Sequence, residues 1–154
     1  MSQQIQSVQL AIVNRIEQLA LNQKMVNQFR YGFLTDMDDL PEFTPPVVYL
    51  VPDTASYPSQ GKINYTFQLI CFDLLLPDKS NLKFVLSDTM SILNDIYTRL
   101  LYDEGNPESW EIIGQGIYTP FQEQLKDYVA GNTLTLTISA FMEMCREGLP
   151  FNDL

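Results

Sequence analysis

Apolar and polar residues alternate without a break from Asn132 to Met144. Leu134, Leu136, Ile138, Ala140, Met142 and Met144 hold one parity; Thr133, Thr135, Thr137, Ser139, Phe141 and Glu143 hold the other. This is the period of a strand with one face buried. Ile63–Leu76 alternates as well, with Ile63, Tyr65, Phe67, Leu69 and Cys71 on one side, until Leu74-Leu75-Leu76 blurs the pattern. A bulge there, or burial on both faces, accounts for the blur. Val47–Val51 predicts a compact strand stopped by Pro52. Trp110–Tyr118 predicts one loosened by Gly114 and Gly116, and Phe29, Tyr31 and Phe33 mark a short aromatic strand.

Two stretches instead recur at three and four. Ile5, Val8, Ile12, Ile16 and Leu19 predict a helix over 4–23, with Ser2 as its cap. Leu82, Leu86, Met90, Leu93, Tyr97 and Leu100 predict a second, capped by Ser80 or Asn81. Thr35–Pro46 reads as an acidic, proline-containing loop, Pro52–Lys62 as an exposed loop or hairpin tip, and Asp103–Ser109 as a loop. Gly131-Asn132 reads as a turn. Pro120–Val129 fits both a helical spacing and a strand approach. The sum is one α+β domain over 1–154: a mostly antiparallel sheet with two amphipathic helices packed on one face. An extended loop at 52–62 and a C-terminal arm at 145–154 complete it.

Composition narrows the function classes. The 154 residues carry 19 acids against 9 bases, a formal charge of −10. Gripping nucleic acid takes clustered Lys and Arg, and an anionic membrane surface attracts the same residues. Both are disfavoured. The acids gather in two runs: Asp36, Asp38, Asp39 and Glu42, then Asp103, Glu104, Glu108 and Glu111. Each run is a solvated loop, or else lines a surface facing something it should not stick to or meets a basic partner. No basic stretch leads into an apolar one at the N-terminus, and no run approaches the length of a membrane span. The expected compartment is a reducing cytosol, with Cys71 and Cys145 as buried free thiols.

Candidate chemistry is sparse. The chain contains no histidine, which removes ordinary triads and Cys–His dyads. Asp38-Asp39 and Asp103-Glu104 lie in polar loops, where burial that raises a carboxyl pKa is not expected. Gly114-Gln115-Gly116 lacks the rest of a phosphate-binding fingerprint. Asp36–Asp39 lacks the spacing, glycine and closing glutamate of a calcium loop. Trp110, Tyr118 and Phe121 read as core rather than as a ligand stack. No catalytic, cofactor-binding or metal-ligating residue is assigned, and the chain is expected to be no enzyme and to use no cofactor.

The order and texture of the elements resemble a known group. An N-terminal amphipathic helix precedes an acidic proline loop and the short strand Pro46–Val51. A long strand ends in Phe72–Asp78, a helix follows at once, and Asp127–Ile138 leads into the last strand. In this the chain is similar to the tail-terminator, tail-completion and neck proteins of long-tailed bacteriophages. The resemblance implies a virion structural protein, assembled in the host cytoplasm, that closes into a homo-oligomeric ring, six-fold or else twelve-fold. Such a ring joins tail to head beside connector or portal-side and tail-tube proteins. DNA passes through it without specific binding, and no membrane takes part. A ring needs heterologous edges, which exposed strand ends and Pro52–Lys62 can supply by strand addition. The candidate interface or lumen residues are Asp36, Asp38, Asp39, Glu42, Thr133, Thr135 and Thr137. The alternative is an adaptor that binds a basic partner through the acidic loops.

Overall fold

The computed structural model describes residues 8–36, 43–59, 61–102, 110–125 and 127–141. Helix α1 spans Val8–Asn22, strand β1 Gln28–Tyr31, and a 3-10 turn Leu34–Asp36. Strand β2 (Val47–Ser56) and strand β3 (Lys62–Leu74) form a hairpin. Helix α2 (Leu82–Leu101) then leads to a second hairpin, β4 (Glu111–Gln124) and β5 (Tyr128–Phe141). With two helices and a five-stranded mixed sheet ordered β1-β2-β3-β5-β4, the fold is α+β. β1 lies parallel to β2; the β2–β3, β3–β5 and β5–β4 pairs are antiparallel.

Register decides what each face holds. β3 and β5 pair from Lys62↔Phe141 to Leu74↔Val129 with no shift. The even residues of β5 therefore share a face with the odd residues of β3. Leu134, Leu136 and Ile138, with Phe67, Leu69 and Cys71, join Ile12 and Ile16 of α1 and Ile92 and Ile96 of α2 in the main core. The opposite parity builds a smaller cluster from Val47, Tyr49, Val51, Ile70, Phe72 and Val129, against which Phe43, Phe121 and Leu125 pack. The Phe43 and Phe72 rings meet edge to face, 5.1 Å apart. Ile70 and Phe72 are thus buried on one side of β3 and Leu69 and Cys71 on the other. At Leu74-Leu75-Leu76 itself neither expected cause holds: the ladder has no bulge, Leu74 and Leu76 are exposed, and the alternation blurs because β3 ends at Leu74.

Several expectations change. The first helix is described from Val8, and Ser2 lies outside the described residues. The stripe of α2 is rotated from the one expected. Val85, Thr89, Ile92, Leu93, Ile96 and Leu100 are buried, while Met90 is 44% exposed. Thr89 can turn inward because its hydroxyl donates to Val85 O (2.8 Å) and accepts from Asn132 Nδ2 (3.1 Å). The Asn81 side chain does not cap α2. It accepts from Leu76 N (2.9 Å) and donates to Leu74 O (3.2 Å), tying the exit of β3 to the helix start.

Two proline and glycine signals misplace strand ends, and a third segment that the sequence leaves open is settled. β2 does not stop at Pro52 but runs to Ser56, with a bulge between Pro52 and Ala55. Leu50 O accepts from Gly32 N, so Leu50 directs its polar groups toward the β1 side. Pro52, two residues on, turns its missing N–H the same way, past the last paired residue of β1, where no ladder bond is lost. Likewise β4 continues through Pro120 to Gln124, because β4 is an edge strand. Pro120–Val129 is accordingly the β4–β5 hairpin rather than a helix.

Gly131-Asn132 is mid-strand rather than a turn. A Cβ at Gly131 would fall on the carbonyl of Cys71. Asn132, 3% exposed, points at α2 and donates to Leu86 O (2.9 Å) as well as to Thr89. Residues 142–154, including Cys145 and the expected C-terminal arm, lie outside the described residues.

Replacing Gly131 by Ala forces overpacking against backbone that cannot yield, at a cost of about 3 kcal/mol. For a chain this long that is a midpoint lowered by roughly 6–12 °C, measurable by thermal melting. Burial pushes the Cys71 thiol up from 9.0 to about 12, with Asp73 adding to the effect. The folded state therefore favours the protonated thiol. That contribution is complete below the unfolded pKa and is lost as pH rises from 9.0 toward about 12. Urea titrations at pH 8 and pH 10.5 should show a smaller alkaline loss in Cys71→Ala than in the parent. An equal loss in both would rule this out.

Candidate functional site

The face of the sheet opposite the α1–α2 core divides into two halves. Its apolar half is the Val47–Tyr49–Phe72–Val129 cluster, closed by Phe43, Phe121 and Leu125. Its other half is mixed, with hydroxyls and amides beside isoleucines and with Asp53 and Glu111 toward its margins. Thr133, Thr135 and Thr137 stand there in a row along β5, all half-buried. Their neighbours on β3 are Ile70, Gln68 and Thr66, and on β4 Thr119, Ile117 and Ile113. The Thr66 and Thr137 hydroxyls bond each other at 3.0 Å, and Gln68 Nε2 donates to Asp53 Oδ2 at 3.2 Å. One row further along, Asn64 pairs with Ser139, and Asn64 Oδ1 is buried without a hydrogen-bond partner.

The three threonines therefore form one surface, because a period of two on an unbroken ladder leaves no other arrangement. Asp36 belongs elsewhere. It falls in the 3-10 turn after β1, at the opposite edge of the sheet from β4. Asp38, Asp39 and Glu42 lie outside the described residues, so the acidic run is not assembled into a site by anything described.

Among the described residues four groups titrate away from their ordinary values, and none of them moves toward neutrality. Burial raises Tyr65; burial and then Tyr97 raise Tyr118. The backbone N–H and side chain of Ser80 lower Asp78, and Cys71 rises to about 12. Each shift moves its group away from pH 7, the reverse of what a general acid or base needs. Among the described residues no three His, Cys, Asp or Glu side chains gather as metal ligands. A groove lined by Leu19, Asn22, Gln23, Asp95, Ile96 and Arg99 holds a single carboxylate, already engaged by Gln23 Nε2 at 3.2 Å. Trp110 is in the main core with Tyr118 against it, while Phe121 packs on the other face. They line no common pocket.

Sequence reasoning missed an apolar flank. Tyr31, Phe33, Leu34 and Tyr57 are exposed near one edge of the sheet, and Ile117 is exposed on β4 at the other. Tyr31 and Phe33 had the alternation of a half-buried strand. A signal was present in the shortness of that run and in its abrupt passage into the acidic loop, which leave little to cover the edge. No helix among the described residues is long and apolar enough to cross a membrane. The chain matches no protein-family model and no curated protein sequence.

Proposed function

We propose that this chain is a non-enzymatic structural subunit of a tailed-phage virion. Copies close into a ring at the neck or tail end, joining tail to head around a channel for DNA. The reading takes the fold as a mostly antiparallel sheet whose two helices lie on one face. The observation that carries it is the unequal dressing of the two faces. The main core joins residues of α1 and α2 to one parity of β3 and β5, whereas the other parity of β5 presents a row of threonine hydroxyls over which no described helix lies. Such a surface suits contact with a second protein, since hydroxyls that bond one another lose little when water leaves. The buried, unpartnered Asn64 Oδ1 is an acceptor that a neighbour's donor would satisfy. The resemblance in element order supplies the setting. The net charge of −10 suits a wall past which DNA slides rather than binds.

Size-exclusion chromatography with light scattering should give a mass that is a whole multiple of the chain, six copies being the expected number, with rings in micrographs. Monomer alone at high concentration, without rings, would overturn the reading. Thr133→Lys with Thr135→Lys should abolish the ring or its joining to the tail. The melting midpoint should hold, because surface changes of this kind cost within about 0.5 kcal/mol. Charge reversal at Asp36, Asp38 and Asp39 separates the adaptor alternative. Loss of binding to a basic partner, with self-association intact, would favour that reading instead.

A further inference from the structure

We propose that neighbouring copies of this chain join edge to edge, the free side of β4 pairing antiparallel with the β2 arm, Pro52–Ser56, of the next copy. The inference names the joint of the ring and rests on that reading for self-association.

The two edges of the sheet differ, as a head-to-tail joint requires. At one edge β1 accompanies β2 only from Val47 to Leu50. The chain then leaves the ladder. Gly32 N donates to Leu50 O at 3.1 Å, and the Tyr49 hydroxyl donates to Phe33 O at 3.3 Å, on the face away from the helices. Pro52–Ser56 is left with β3 on one side and, among the described residues, no strand on the other. Around this arm Tyr31 is 49% exposed, Phe33 61%, Leu34 49% and Tyr57 52%. At the other edge no described strand lies beyond β4, and Ile117 is 56% exposed. Native edges are commonly guarded by charge, yet Ile112–Ile117 carries none.

Direction and height also agree. β2 and β5 both run antiparallel to β3, and β4 runs antiparallel to β5, so β4 runs opposite to β2. A neighbour related by rotation about a ring axis keeps that sense, and its arm meets β4 as an antiparallel strand. Ser56, Asn64, Ser139 and Glu111 form one row across the sheet, and Ala55, Tyr65, Ile138 and Ile112 the next. The unaccompanied part of β2 therefore stands level with the uncharged part of β4. A two-fold dimer through β4 alone would leave the arm and its aromatic flank uncovered.

Cysteine pairs test the joint. Within one copy β2 and β4 are three strand spacings apart, about 14 Å, whereas a disulfide spans roughly 7 Å between Cα atoms at most. Any bond between the two strands must therefore link two copies. In a Cys145→Ser background, Ser56→Cys is combined in turn with Glu111→Cys, Ile113→Cys and Gln115→Cys. After mild oxidation, at least one pair should give a ladder beyond dimer on non-reducing gels, while each single-cysteine variant should not. If light scattering finds the oligomer but no pair gives a ladder, the ring stands and edge pairing falls. If scattering finds only monomer at every concentration, both fall.

Discussion

The β3–β5 ladder holds its register from Lys62↔Phe141 to Leu74↔Val129. Both strands are flanked by others, β3 by β2 and β5 by β4. A slip of one residue would move Leu134, Leu136 and Ile138 out of the core and the threonines into it. The same ladder thus sets the main core, the second apolar cluster and the threonine row together. Each of these surfaces exists only because the other two are in place.

Asn132 and Gly131 tie that ladder to its surroundings in different ways. Asn132 reaches α2 through Leu86 O and Thr89 Oγ1, so the helix is fixed to β5 by directed bonds as well as by packing. A polar pair inside an apolar layer is costly unless satisfied. Here satisfaction requires one position of α2, which is a reason for the helix to sit at a single height. Gly131 lets the chain pass close to the Cys71 carbonyl where any side chain would collide. In its row it lies between Phe72 and Phe121, both of which pack in the second cluster.

Much of this was legible in the chain. Alternation over Ile63–Cys71 and from Thr133 onward located the two strands of the central ladder, because a half-buried strand cannot hide its period. The helices were legible for the same reason, although the face of α2 was not. Thr89 reads as polar, and only Asn132 across the sheet makes it an inward residue. Pro52 and Gly131-Asn132 are misread, and Pro120–Val129 stays ambiguous, because turn signals are local while their meaning is set by neighbours. A proline costs little on the side of a strand that has no partner, and strand order is not written in local composition. The threonine row was visible as a pattern, but the absence of any described helix over it was not. That follows from where α1 and α2 pack.

The character of the threonine half also bears on solubility before assembly. An apolar surface of that extent would draw copies together in arbitrary registers, and a lysine-rich one would keep them apart. Hydroxyls and amides do neither. In water they are solvated, and when covered they pair locally, as Thr66 and Thr137 already do at 3.0 Å. In the edge-to-edge ring proposed above, specificity would be left to the edges, where antiparallel backbone pairing admits few registers and the exposed aromatic flank would favour one. On that proposal a subunit would stay dispersed until an edge finds its complement. In such a ring the polar face would then acquire a fixed direction, toward a lumen or toward the next protein in the stack.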